Sequence, residues 1–215
     1  MKLSPTTLKS GIDHKWGCKR CFWLKVNQEV RRPGNGLVQI HSQIHDWVYG
    51  YLKHNWIPIL PAGRLIGTEI YLQSQPIRGV TLHGYLDGLI ELADGSGYAI
   101  MDIKTTNSPQ YASKNYALQV NTYAYCLQTA AQGMPSYRPV QQLGLLTFSG
   151  YRFGYNSSDE AGIVGKMVWH PVKINPSMVE SAVDGALAIL EQTQAPQSNP
   201  ECEWCHYIQQ MTCLE

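Results

Sequence analysis

The segment HGYLDGLIELADGSGYAIMDIKTT, residues 83–106, decides the fold. Two apolar runs lie on either side of ADGSG, a turn-forming sequence that predicts a β-hairpin. In such a hairpin Asp87 and Asp102 lie at similar distances from the turn on neighbouring strands. Lys104 shares a strand face with Asp102, because side chains alternate along a strand with a period of two. The apolar flanks predict that both strands are buried on one side.

The two carboxylates of this hairpin predict a site for a cation. Carboxylates brought within a few ångströms repel each other, so one takes up a proton unless a cation neutralises the pair. Mg²⁺ and Mn²⁺ are the simplest candidates because they prefer oxygen ligands. An ammonium at Lys104 can then orient water or stabilise charge that grows on a phosphate. An exposed hairpin with a surface ion pair is the alternative interpretation of this pattern.

The remaining sequence predicts an α/β fold, in which helices flank a central mixed β-sheet. The predicted order is helix, helix, three strands, helix, two strands, helix and a cysteine-rich tail. The second helix, within residues 38–56, carries His41 and His45 one turn apart on a common face. The first strand, within residues 67–77, contains Glu69.

Composition limits the class of protein. The 215 residues, of which 44% are hydrophobic, are enough for one ordinary domain. No run approaches the roughly 18 apolar residues of a membrane span, and the N-terminus has no apolar signal sequence, so we expect a cytoplasmic protein without membrane contact. The first 35 residues hold eight lysines and arginines against two acidic residues. A basic end favours an anionic partner such as DNA, although a solvated basic face is equally consistent with it.

Five of the six cysteines lie near the two ends of the chain. Residues 18–21 (CKRC) and 202–205 (CEWC) are C-x₂-C pairs, and Cys213 follows the second pair. Two such pairs that meet in space satisfy a tetrahedral zinc site, and they equally suit a four-thiolate iron–sulfur cluster. The spacing does not decide between them. Free thiols in a reducing cytosol are the remaining alternative.

Read in order, the motifs SPTTLKS, CKRCFWL, GYLDGLIEL, MDIKTT, LQVNTYAY and CEWCHYI resemble those of the PD-(D/E)XK nucleases. The resemblance is to the RecB-like branch, including its CRISPR-associated iron–sulfur exonucleases, and it covers nearly the full length. It implies a restriction-endonuclease-like core and a Mg²⁺- or Mn²⁺-dependent deoxyribonuclease. We therefore expect an exonuclease that acts on single-stranded DNA or DNA ends, with protein partners in CRISPR adaptation, DNA repair or phage replication. A catalytically weak DNA-binding adaptor with a structural metal is the competing hypothesis.

The resemblance also implies the ligands of the catalytic metal. They are the side chains of Asp87 and Asp102, the carbonyl of Ile103 and a histidine of the second helix. His45 is favoured over His41, because YGYL follows it as in family members.

Four further residues receive roles from the same resemblance. Lys104 becomes the catalytic lysine, and Glu69 becomes an upstream acidic residue that supports the site. Gln119 and Tyr123, at i and i+4 of the helix after DIKTT, match a helix motif that faces the substrate and the edge of the site.

For the cysteines, the resemblance implies a [4Fe–4S] cluster bound by Cys18, Cys202, Cys205 and Cys213. Cys21 is a competing ligand, and Zn²⁺ is the alternative metal. We expect one nuclease domain over residues 1–215, with a catalytic core at 36–174. The helical, cysteine-rich ends, residues 1–35 and 175–215, are then clamped together by the metal.

Overall fold

The computed structural model describes residues 1–12, 17–32, 38–155 and 161–212. Its helices are α1 (Pro5–Ile12), α2 (Lys19–Asn27), α3 (Val38–Leu52), α4 (Ala112–Gln128), α5 (Pro176–Leu190) and α6 (Glu203–Thr212). Its strands are β1 (Lys2–Leu3), β2 (Gly63–Gln73), β3 (Thr81–Leu92), β4 (Tyr98–Thr105), β5 (Val140–Tyr155) and β6 (Ala161–Val172). None of the described helices is both long and apolar enough to cross a bilayer.

The six strands form one mixed sheet, which confirms the predicted fold class. β3 and β4 are the predicted antiparallel hairpin around residues 93–97, and β2 extends it on β3. β4 and β5 are parallel, and α4 provides the crossover that a parallel pair requires. β6 pairs antiparallel with β5, and the two residues of β1 pair parallel with the start of β3.

The hairpin strands β3 and β4 separate before either of them ends. Their last pair is Gly88 with Met101. Beyond it β3 continues back to Thr81 along β2, whereas β4 continues to Thr105 along β5. We call this point of divergence the fork. Asp87 and Asp102 are the first residues past the last pair, so the topology brings both to the fork.

Two hydrophobic cores lie on opposite faces of the sheet. β4 sends Ile100 into a larger core with α1, α2, α4 and α5, and it sends Met101 and Ile103 into a smaller core with α3. Side chains alternate between faces along a strand, so α3 and α4 cover opposite faces of β4. Full burial of each aliphatic side chain contributes about 1.5–3 kcal/mol, which fixes both helices against the fork.

Candidate active site and cysteine group

The fork brings the predicted aspartates and lysine around the backbone of Ile103. The Ile103 N–H donates to Asp87 Oδ2 at 2.7 Å, so the carboxylate takes the place of the carbonyl that a continued ladder would supply. Lys104 Nζ lies 2.5 Å from Asp102 Oδ2 and donates to the Ile103 carbonyl at 3.3 Å. Asp87, Asp102 and Lys104 therefore converge at the fork.

Burial gives these charged groups unusual protonation behaviour. Asp102 is fully buried and Asp87 is 9% exposed. Burial, reinforced by the Asp102 carboxylate, raises the pKa of Asp87 to about 7. Burial disfavours the Lys104 ammonium, but Asp102 and Asp87 outweigh it and raise the pKa of Lys104. The fork therefore holds a charged lysine beside a carboxyl that exchanges its proton near neutral pH.

Helix α3 brings a histidine to the other side of Asp87. His45 Nε2 lies 3.9 Å from Asp87 Oδ2, and His45 Nδ1 lies 3.8 Å from Glu69 Oε1. The Tyr49 hydroxyl donates to Glu69 Oε1 at 2.8 Å and lies 3.2 Å from His45 Nδ1. His45, Glu69 and Asp87 each offer one ligand atom, and these atoms all lie within 4.8 Å of one another. Tyr49 was not predicted, although its position one turn after His45 is the available signal.

The two candidate histidines differ in what they contact. The rings of His41 and His45 are 4.4 Å apart, and His45 is the one that reaches the carboxylates of Asp87 and Glu69. Burial lowers the pKa of His45, and the neighbouring His41 and Lys104 lower it further. His45 is thus held neutral, the form in which imidazole binds metals.

The backbone of Glu69 has an unfavourable conformation next to the site. The flanking pairs, Thr68 with Gly88 and Ile70 with Leu86, place Glu69 opposite Asp87. Its φ of 50° lies in the left-handed region, which costs a residue with a side chain about 1–3 kcal/mol. This local twist accompanies the contact between its carboxylate and His45.

Helix α4 braces the opposite side of the fork. Gln119 Nε2 donates to Asp102 Oδ1 and to the Tyr123 hydroxyl, both at 3.0 Å. Tyr123 packs closely on β3 at Gly84, where a Cβ would lie 3.0 Å from its ring. Burial raises the pKa of Tyr123, so it stays protonated. The predicted helix motif therefore contacts Asp102 directly.

The residues present suit a hard divalent cation. His45 Nε2 is buried, and it has no hydrogen-bond partner among the residues that the structure describes. It faces Asp87 Oδ2 at 3.9 Å, a gap that one ion spans with ligand distances near 2.0–2.1 Å. The oxygens of Asp102 contact Lys104 and Gln119 instead, and Asp102 is outside the group whose atoms lie within 4.8 Å.

The two C-x₂-C pairs meet where the ends of the described chain come together. The Sγ atoms of Cys21 and Cys205 are 3.4 Å apart, those of Cys18 and Cys205 are 3.7 Å apart, and those of Cys21 and Cys202 are 3.8 Å apart. We call these four residues the cysteine group, and their Sγ atoms all lie within 4.8 Å of one another. Cys213, the other predicted ligand, lies outside the described residues.

Hydrogen-bond donors surround the cysteine group. Burial by itself raises the pKa of Cys18, but N–H groups, first that of Asn199, outweigh it and lower the pKa to about 7. The Arg32 guanidinium donates to Cys202 Sγ at 3.1 Å. The N–H donors thus favour the thiolate form of Cys18, which is the form that binds metals, whereas burial raises the pKa of Cys21 and of Cys205.

Residues 16–210 match the family model of the PD-(D/E)XK nuclease superfamily. This chain belongs to that superfamily. The solved structure of SSO0001 has a TM-score of 0.50 and 16% identity, covering 96% of this chain and 84% of that one, which is a likeness of fold. The complex of LHK-Exo with dAMP has a TM-score of 0.46 and 12% identity, covering 100% and 95%. No curated protein matches the sequence.

Proposed function

We propose that this protein is a Mg²⁺- or Mn²⁺-dependent deoxyribonuclease that acts as an exonuclease on single-stranded DNA or DNA ends. The observation that carries the proposal is the fork, where a neutral histidine, a carboxyl of raised pKa and a buried ammonium converge. Membership of a nuclease superfamily supports hydrolysis of a phosphodiester. The preference for DNA ends or single strands belongs to the proposal alone.

In this proposal His45 and Asp87 hold the ion and Glu69 supports it, since their ligand atoms lie within 4.8 Å of one another. The family resemblance adds Asp102 and the carbonyl of Ile103 as ligands, although their oxygens contact Lys104 in this structure. A divalent ion there supplies Lewis-acid charge to the scissile phosphate and makes a neighbouring water a better nucleophile. The neutral imidazole donates a lone pair without repelling the cation. The Asp87 carboxylate must lose its proton before it binds.

Lys104 acts on the substrate in this proposal. Its ammonium orients the attacking water and stabilises the negative charge that develops on the phosphate oxygens. Asp102 fixes the position of Nζ at 2.5 Å, and Gln119 fixes Asp102 from the other side. Because Nζ is already in position, the site needs little reorganisation when negative charge develops on the phosphate. Preorganised charge of this kind contributes most to electrostatic catalysis. Lys104 is therefore the residue whose loss separates catalysis from binding.

Cleavage of DNA labelled at both ends tests this function. We expect native protein with Mg²⁺ or Mn²⁺ to degrade single strands or duplex ends progressively, and chelation of the ions to stop it. Lys104→Ala is expected to bind DNA without cutting it, whereas Lys53→Ala, at an exposed lysine after α3, is the matched control. DNA binding by native protein without cleavage under any of these conditions favours the adaptor hypothesis.

For the cysteine group we propose a single Zn²⁺ in place of the expected [4Fe–4S] cluster. Four thiolates about 2.3 Å from one tetrahedral ion lie about 3.8 Å apart. Three of the Sγ separations, at 3.4, 3.7 and 3.8 Å, are close to that spacing, and all of them are within 4.8 Å. Thiolates on the corners of a four-iron cage lie farther apart, because the whole cluster is between them. Cys21 then completes the site, and the ends of one nuclease domain over residues 1–215 are tied around its 36–174 core.

Metal content and colour distinguish the two metals in this proposal. Protein purified without oxygen is expected to be colourless and to contain about one zinc per chain. Cys21→Ser is expected to lose the zinc, because four-coordinate sites of this kind need all four ligands. Cys126→Ser is the control, since Cys126 is buried in the larger core away from the group. A brown protein that absorbs near 400 nm would refute zinc and restore the cluster.

A further inference from the structure

Aromatic side chains extend away from the fork along the β2–β3 hairpin. Residues of one strand that differ by two share a face, so Tyr85 and His83 follow Asp87 on its face of β3. Tyr71 of β2 pairs directly with Tyr85. Its ring lies 5.2 Å from that of Tyr85 and 6.2 Å from that of His83. We call Tyr71, His83 and Tyr85 the aromatic track.

The centre of the track is open to solvent. Tyr85 is 59% exposed, which makes it the most exposed of the large hydrophobic side chains that the structure describes. Leu86, its neighbour on the opposite face, is completely buried. The exposed side of β3 at this position therefore buries little apolar surface within the chain, so core packing does not explain an aromatic residue there.

We propose that the aromatic track binds the bases of single-stranded DNA next to the scissile phosphate. The proposal rests on the proposed nuclease function and deepens it, because it names single-stranded DNA as the form that reaches the fork. Bases stack on exposed aromatic rings irrespective of sequence, since every base has a π-face. A track that starts one side chain from Asp87 therefore holds the strand where it is to be cut.

The spacing of the track suits an extended strand of DNA. Alternate residues on one face of a β-strand are about 7 Å apart. That is close to the length of one nucleotide when its backbone is pulled out of helical stacking. The distances along β3 from Asp87 to Tyr85 and from Tyr85 to His83 are thus each close to the length of one extended nucleotide. A paired duplex presents no open base faces to such a surface, so it would have to be opened first.

The charge along the track points the same way. At its far end, Lys2 pairs with Thr81 and donates to Gln73 at 3.0 Å, where its ammonium is available to a phosphate. At the fork the carboxylates of Glu69 and Asp87 repel phosphate until a divalent cation is bound. The track therefore provides base stacking between a lysine and a metal-dependent phosphate site.

Equilibrium binding of labelled oligothymidylate tests the proposal. The full chain carries Lys104→Ala so that no cleavage intervenes. Loss of one stacking contact, about 1–3 kcal/mol, predicts that Tyr85→Ala weakens binding about 5- to 150-fold. Tyr85→Phe, which keeps the ring, is expected to bind within about twofold of the parent. Tyr207→Ala, at a tyrosine of α6 that is 52% exposed, is the matched control and is expected to change nothing.

An abasic site moved along the oligonucleotide identifies the contact. At the one position whose base stacks on Tyr85, removal of the base should weaken binding by the parent but not by Tyr85→Ala. Equal affinities of the parent and Tyr85→Ala, or a deficit in Tyr85→Ala that no abasic position cancels, overturn the proposal. Failure of the nuclease function gives a different result, in which native protein binds oligothymidylate through Tyr85 but never cleaves it.

Discussion

Asp87→Asn should remove a specific pH dependence from the stability of the metal-free protein. Burial raises the pKa of Asp87 to about 7, whereas the unfolded carboxyl has a model value of 3.8. Between these values the folded protein holds a proton that the unfolded chain releases. The free energy of unfolding therefore falls as pH rises through this window, and the contribution is complete only below the unfolded pKa.

The expected size follows from one proton. A difference of one bound proton changes the free energy of unfolding by about 1.4 kcal/mol per pH unit. Because the folded carboxyl is half deprotonated at pH 7, the native protein should lose about 2.3 kcal/mol from pH 5 to pH 7 relative to Asp87→Asn, which has no carboxyl to titrate. For a chain of this size, that corresponds to a relative fall in melting temperature of roughly 5–9 °C. The comparison between variants matters because the lowered pKa of His45 acts in the opposite direction.

Urea unfolding at pH 5, 6 and 7, in buffer free of Mg²⁺ and Mn²⁺, measures this effect. Asp46→Asn, at an exposed residue of α3, is the control and should follow the native protein. Added Mn²⁺ should restore stability at pH 7 in the native protein and not in Asp87→Asn, because the metal replaces the lost proton. Parallel pH profiles for native protein and Asp87→Asn would refute a raised pKa at this carboxyl.

Three further substitutions test residues that position a neighbouring catalytic or metal-binding side chain. Gln119→Leu removes a hydrogen bond from the buried Asp102 carboxylate. It should lower the cleavage rate about 10- to 100-fold and leave the DNA affinity unchanged. An equal loss of cleavage rate and of DNA affinity would contradict a positioning role. Arg32→Gln should weaken zinc binding about 10- to 100-fold in competition with a chromophoric chelator, since the guanidinium donates to Cys202, and Arg32→Lys should recover part of it. Tyr49→Phe removes the hydrogen bond to the Glu69 carboxylate and should weaken Mn²⁺ binding, measured by calorimetry, about tenfold. An unchanged Mn²⁺ affinity would mean that Tyr49 serves only in packing.

Local periodicity was sufficient to predict the centre of the fork. The ADGSG turn fixes the register of the hairpin, so the similar distances of Asp87 and Asp102 from it follow from counting. The period of two places Lys104 with Asp102, and the i, i+4 spacing of Gln119 and Tyr123 lets one helix face contact the same carboxylate. These predictions required only the geometry of single elements.

The remaining features depend on tertiary packing, which spacing does not encode. His41 and His45 are one turn apart, and only the seating of α3 on the smaller core determines which of them reaches Asp87. The left-handed backbone at Glu69 is likewise a response to the strand it opposes. The meeting of Cys21 with Cys205 joins residues 184 positions apart in sequence. The exposed face of Tyr85 depends on which helices leave β3 uncovered.

The fork explains why β3 and β4 contain charged residues at positions where apolar side chains would stabilise the fold more. Had β3 and β4 paired beyond Gly88 and Met101, the Ile103 N–H would have a backbone partner and its carbonyl would be enclosed. Divergence frees the backbone N–H and carbonyl of Ile103, so Asp87 accepts from the N–H while Lys104 donates to the carbonyl. The same divergence lets α4 reach Asp102 from one face and α3 reach Asp87 from the other. Each carboxylate is thereby buried with a hydrogen-bond or ion-pair partner, which is the condition under which a protein can keep polar and charged groups inside.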